Sequence, residues 1–177
     1  MVATTPKGEA RRTALLDAVI RVLEAGGPGA VTHRSVAAEA GVPLAAATYY
    51  FTGIDDLLVS ALRRATEHQV ALVAHLRGGS YAQFAAVLLD WTHAGRASAI
   101  AQYELLFLAM RRDNLRDAAD LWYRTLEEAI AVVEPDARRT RVIALAIDGL
   151  ILRMLWRGDP ATLPEIEAAL RDIMGGS

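Results

Sequence analysis

The sequence predicts an all-α protein with a helix-turn-helix head, and three observations carry that expectation. Alanine and leucine are abundant and β-branched runs are few, which favours helix along most of the chain. Apolar residues recur at three- and four-residue spacing in one segment after another. The stretch from Val31 to Phe51, VTHRSVAAEAGVPLAAATYYF, then reads as two short helices broken at a glycine. The chain has 177 residues, 53% hydrophobic and 23% charged, enough to bury the core of one or two small soluble domains.

Met1 to Pro6 reads as a frayed arm, followed by a first helix over Arg11–Ala25. Leu15, Val19, Val22 and Leu23 share one face of it, and Arg11, Arg12 and Arg21 the other. Lys7, Arg11 and Arg12 are candidates to brush a phosphate backbone, though solvated surface charge is the commoner role for such residues. Gly26, Gly27, Pro28 and Gly29 end the helix. Thr32 is a good N-cap for the next one, on which Val36, Ala37 and Ala40 recur at helical spacing. Gly41 can take the left-handed backbone that closes a helix, and Pro43 suits the first turn of another. Small Ala37 lets the two helices cross closely.

With Val42, Ala47, Tyr50 and Phe51 directed inward, the outward face of the second helix carries Leu44, Ala45, Thr48 and Tyr49. Thr32, His33 and Arg34 crowd the start of the first helix, where unpaired N–H groups and the dipole favour phosphate. A plain helical hairpin with a satisfied surface is the bland alternative.

Thr52 to Asp55 has the spacing of a capping box, opening a long helix to about Arg77. His68 and His75 lie on it and read as core or surface residues rather than ligands. Gly78 and Gly79 break the chain. Ser80 caps a helix to about Ala94, Ala97–Arg112 forms the next, and Asp113 or Asn114 caps one ending near Glu134–Pro135. Asp136–Arg157 is the longest apolar helix, and Asp159-Pro160 is a cap and first-turn pair for the last, with Leu163, Ile166, Leu170 and Ile173 in register. The division expected is a head over 1–54 and a body over 55–177.

These residues resemble the DNA-binding half of a TetR-type transcriptional regulator, from about Ala10 to Leu62. The resemblance rests on the Gly41-Val42 turn, the short helix ending in Tyr49-Tyr50-Phe51, and the acidic start TGIDDLL of the long helix. Three positions depart from the family pattern: Thr48 stands where a tyrosine is usual, Ile54 where a lysine often meets phosphate, and Leu44 where a polar reader is frequent. The resemblance implies a ligand-responsive repressor that binds a palindromic double-stranded operator as a homodimer. In such a protein the long helix links head to body, so that a shift at its far end swings the recognition helix. Arg34 is the best candidate for base contact, because its fork can bridge guanine O6 and N7. Thr32, His33, Thr48 and Tyr49 would bond phosphates. Leu44 and Ala45 offer apolar contact, for instance to thymine methyls.

All three tryptophans lie in the body. Trp91, Tyr103, Phe107, Met110 and Trp122 are the candidates to line a pocket for a small apolar or amphipathic effector, against the alternative that they are ordinary core residues. The run from Arg141 to Trp156 is apolar nearly all round, as a helix buried on several sides would be. Packing of the last two helices on a two-fold copy would bury it, with Leu145, Gly149, Leu152, Trp156, Ile166 and Leu170 at the interface. Asp148 is then either paired with a base such as Arg153 or an interface hydrogen bonder, with ligand contact the minor reading.

The net charge of −2 is not that of a generic nucleic-acid binder. Its distribution leans the right way: residues 1–77 carry eight Lys/Arg against seven Asp/Glu, and 78–177 eleven against fourteen. With zero Cys and no signal-like or membrane-spanning apolar run, a cytoplasmic protein with neither disulfides nor a membrane partner is expected. No catalytic constellation, cofactor motif or metal site assembles. Asp90 and His93 form one Asp-x-x-His pair, but a di-metal bundle needs two pairs and two further carboxylates. The rival function is a dimeric helical module that binds small molecules or proteins and whose head no longer reads DNA.

Overall fold

A computed structural model of the chain describes residues 5–74, 80–157 and 161–175. Among these residues there are nine α-helices, two short 3-10 turns and no strand. The helices are α1 (Pro6–Gly26), α2 (His33–Glu39), α3 (Leu44–Tyr50), α4 (Ile54–Ala74), α5 (Tyr81–His93), α6 (Arg96–Leu108), α7 (Arg116–Ile130), α8 (Ala137–Arg157) and α9 (Leu163–Met174). They divide between two compact units. One takes the described residues up to Ala65 together with Ile100–Ala119; the other takes those of Thr66–Ala99 and from Asp120 onward. A stretch of α6 and the start of α7 thus join the head's unit, which a division after residue 54 does not anticipate.

In the first unit, α1 starts well before Arg11, because Thr5 is itself an N-cap. Its hydroxyl accepts from the Gly8 N–H at 3.2 Å, Pro6 is pre-set for the first turn, and Glu9 faces the positive helix end. Thr32 caps α2, and Gly41 holds φ at +65°, the left-handed turn between α2 and α3. Pro43 is the residue before α3, not its first, and its ψ of 144° is still extended. The expected box from Thr52 to Asp55 is displaced by one residue. Thr52 donates from both its N–H and its hydroxyl to Asp56 Oδ2, at 3.1 and 3.4 Å, while Asp55 pairs with Arg112. Leu15, Val19, Val36, Ala47, Phe51, Leu57 and Leu62 are all but fully buried and form the unit's core.

In the second unit, Ser80 and Gln83 make a reciprocal capping box at α5, and α5 packs on α8 and α9. The Asp136 carboxylate accepts from the Arg139 N–H at 2.8 Å and so caps α8. The cap of α9 is Thr162, whose N–H and hydroxyl both reach Glu165 Oε2 at 2.8 Å. The Asp159-Pro160 pair expected there lies outside the described residues, as do Met1 to Thr4, the His68 side chain, His75, Gly78 and Gly79. Trp122, Ile147, Ile166 and Leu170 are the most deeply buried large residues of this unit.

Candidate nucleic-acid interface

The face of α3 follows from what its inner side buries. Ala47 and the following Phe51 are 0% and 1% exposed, which pins the helix and turns Leu44, Ala45, Thr48 and Tyr49 to solvent. Tyr49 is 78% exposed and meets the Tyr50 ring edge-on at 5.1 Å. Tyr50, expected inward, is only half-buried: three residues after Ala47 it stands about 60° round the helix from it, at the edge of the buried face.

The donors at the start of α2 are arranged differently from the expectation. Ser35 Oγ donates to the Ala30 carbonyl at 2.7 Å, so it is free to accept from the Thr32 N–H and hydroxyl, both at 2.9 Å. Thr32 Oγ1 in turn accepts from the Ser35 N–H at 3.0 Å. The Thr32 hydroxyl is therefore closed into the cap. His33 Nε2 lies 3.2 Å from the Phe51 carbonyl, and Thr48 Oγ1 donates back to the Leu44 and Ala45 carbonyls at 3.4 and 3.3 Å. Three of the four expected phosphate donors thus have intramolecular partners. Tyr49 is open, and Arg34 is exposed with no ion pair among the described residues. Arg12 is partly committed: it lies 3.9 Å from Glu9 and its guanidinium sits 5.6 Å from the Phe51 ring centroid. Ser35 was missed at the sequence level, although its place three residues after Thr32 is the capping-box position.

The other expected sites are distributed as follows. Trp122 and Tyr103 are buried, Trp91 is half-buried, and Phe107 and Met110 are 39% and 74% exposed. Trp91 and Trp122 belong to one compact unit, and Tyr103, Phe107 and Met110 to the other. Tyr103 and Phe107 pair at 5.8 Å. On α8, Leu145, Gly149 and Trp156 are exposed and Leu152 is half-buried, whereas Ile166 and Leu170 of α9 lie inside the protomer. Those two are corrected from interface to core: α9 turns its apolar stripe to its own unit, where it meets α5 and α8. Asp148 is buried on α8, and the Tyr123 hydroxyl is held above the ordinary phenol range, first by burial and then by the Asp148 charge. Among the described residues no group of three His, Asp or Glu side chains could hold a metal ion, and no helix is long and apolar enough to cross a membrane.

The geometry is that of a helix-turn-helix DNA-binding regulator, and comparison with known proteins agrees. Residues 15–61 match the family described as bacterial regulatory proteins, tetR family, and residues 77–176 match the tetracyclin repressor-like C-terminal domain. The multidrug binding protein EbrR, in its ethidium complex, is 34% identical with a TM-score of 0.78, over 92% of this chain and 98% of that one. A TetR family member from Streptomyces coelicolor A3 is 33% identical with a TM-score of 0.80, over 92% and 97%. A transcriptional regulator from Rhodococcus sp. Rha1, 22% identical with a TM-score of 0.75 over 93% and 94%, shares the fold. Among curated proteins none matches. The chain belongs to the TetR family of transcriptional regulators: it is a DNA-binding regulator and not an enzyme.

Proposed function

We propose that this regulator is a ligand-responsive repressor that binds a palindromic operator as a homodimer, each subunit laying Leu44 to Tyr50 in a major groove. The observation that carries the reading is the exposed face of α3, with Leu44, Ala45, Thr48 and Tyr49 outward, together with an exposed Arg34 on α2 that has no ion pair among the described residues. Two heads on one palindrome would set half-sites about 34–36 Å apart, or a multiple of that. Leu145, Gly149, Leu152 and Trp156 of α8 support the two-fold interface, because an apolar stripe this exposed on a single chain gains from burial.

The effector is a small apolar or amphipathic molecule. EbrR, which resembles the chain over most of its length, is a multidrug binding protein with complexes of ethidium, proflavin and malachite green. Flat aromatic cations suit the second unit, where Trp91, Trp122 and Tyr123 occur with the buried carboxylate Asp148. Its binding would favour a head spacing that no longer fits the operator, and operator affinity would fall by the coupling between the sites.

The test is binding to a duplex selected by the protein from a random library, measured against salt. Several phosphate contacts predict a steep fall in affinity as salt rises. Adding ethidium, which also intercalates into DNA, should then release the duplex at concentrations that leave an unrelated protein bound to its own duplex. A chain that selects no duplex and binds none at low salt would instead be a binding module whose head no longer reads DNA.

A further inference from the structure

We infer that His33 is a positioning residue for the recognition helix, joining the first turn of α2 to the point where α3 ends. Its Nε2 lies 3.2 Å from the carbonyl oxygen of Phe51, eighteen residues on, and a carbonyl only accepts, so Nε2 carries the proton. Phe51 has already left the helix, with φ −132° and ψ 117°. Its N–H closes the last turn of α3 onto Ala47 at 3.0 Å, but its own carbonyl precedes α4, which starts three residues later at Ile54. Phe51 is 1% exposed, and a carbonyl in such a place is costly without a donor. His33 supplies that donor. The Phe51 ring is held separately, by the core and by the Arg12 guanidinium. Together these contacts define where Thr48 and Tyr49 stand relative to Arg34.

The inference rests on α3 docking on DNA as proposed above, and it assigns His33 a role other than a phosphate contact. Its Nε2–H is already donated within the head, so losing the ring should misplace the recognition helix without removing a phosphate partner.

The first test is nitrogen NMR of the wild-type protein at about pH 8, where an ordinary imidazole is neutral. A protonated Nε2 with a bare Nδ1 is expected; the opposite tautomer overturns the proposal without reference to DNA. The second uses a duplex selected from a random library by the wild-type protein. His33→Ala should bind it about two- to tenfold more weakly, the range of one neutral hydrogen bond, with an unchanged salt slope. His33→Gln places an amide nitrogen as many bonds from the backbone as Nε2 and should restore binding. His33→Asn is one bond short and should not.

Equal losses on selected and random duplexes, with a salt slope shallower by about one, would make His33 a phosphate contact and overturn the assignment. So would a Gln variant no better than Ala. Should the Ala variant fail to fold, the tautomer and the Gln–Asn contrast still decide. A wild-type protein that selects no duplex defeats the DNA-docking reading instead, and the tautomer measurement alone then judges the His33–Phe51 bond.

Discussion

Arg64 on α4 grips Asp17 on α1 with both arms of its guanidinium, Nε to Oδ1 at 2.6 Å and the terminal nitrogen to Oδ2 at 3.2 Å. The two residues are 47 positions apart, and their pairing braces the two long helices that carry the helix-turn-helix. Asp17 is partly open to water, which screens the attraction. Replacing Arg64 by Ala should therefore lower stability by about 1 kcal/mol in urea unfolding, the upper end for a partly exposed pair. Arg64→Lys should recover less than half of that, since an ammonium cannot form the two-pronged contact. Full recovery by Lys would show that charge, not the fork, holds the helices.

A second brace ties the opposite end of the α4 segment in this unit. Asp55, in the first turn of α4, pairs with Arg112, which precedes the 3-10 turn Asp113–Leu115. Both side chains are more than a third exposed, so a double-mutant cycle over Asp55→Ala and Arg112→Ala should give a coupling of about 0.5 kcal/mol. The charge-swapped double variant should regain most of the stability lost in either single one. A coupling near zero would reduce the pair to a coincidence of surface charges.

How far these features could be read in advance depends on how local their chemistry is. Thr32, Gly41 and the Gly26–Gly29 break act within a few residues, and the head was legible from them. Asp55 was not: it looked like a capping partner of Thr52, but an arginine 57 residues away takes it and leaves Asp56 to serve Thr52. Thr162 with Glu165 is a reciprocal box that Asp159-Pro160, a stronger pattern by composition, concealed. Periodicity identified the apolar stripes of α8 and α9 but not what covers them, and for Ile166 and Leu170 the cover is the protomer itself. At the candidate interface, spacing showed which side chains face out. It could not show that the Thr32, His33 and Thr48 donors turn back onto their own backbone or cap.

Glu165 makes the stability of α9 depend on acid. Its carboxylate accepts from the Thr162 N–H and hydroxyl, and these bonds, the backbone one first, hold its pKa below the ordinary glutamate value. The folded state therefore binds this proton less readily than the unfolded chain does. The contribution is present above the unfolded pKa and is lost as pH falls through the lowered folded one. Glu165→Gln should lower the melting temperature at neutral pH, and the gap from wild type should close below the usual carboxylate range. A gap that persists unchanged in strong acid would assign the loss to shape rather than charge.

Trp156 and Leu145 are 89% and 66% exposed in the protomer, an unusual cost for large apolar groups on one helix. If α8 packs on its two-fold copy, Leu145→Asp places a carboxylate inside that contact while changing little in the isolated chain. Sedimentation should then show subunits where the wild type shows dimers, with helix content retained. DNA binding should weaken in parallel, because a single head has only one half-site. A variant that remains dimeric would move the interface away from this face.

Arg34 decides whether the head reads sequence or only grips the backbone. It is exposed in the first turn of α2, a helix that packs on α3, and has no ion pair among the described residues. A guanidinium so placed has two uses on DNA, and they respond oppositely to substitution. As a two-pronged contact to guanine, its loss in Arg34→Ala should cost about 1–3 kcal/mol on the selected duplex and relax preference at one base pair. Binding to random duplexes would barely change. As a phosphate clamp, the same substitution would weaken every duplex alike and make the salt slope shallower by about one. Leu44 and Ala45 can add only apolar contacts, so the base contact is the expected outcome: without it the exposed face of α3 has little left with which to tell one sequence from another.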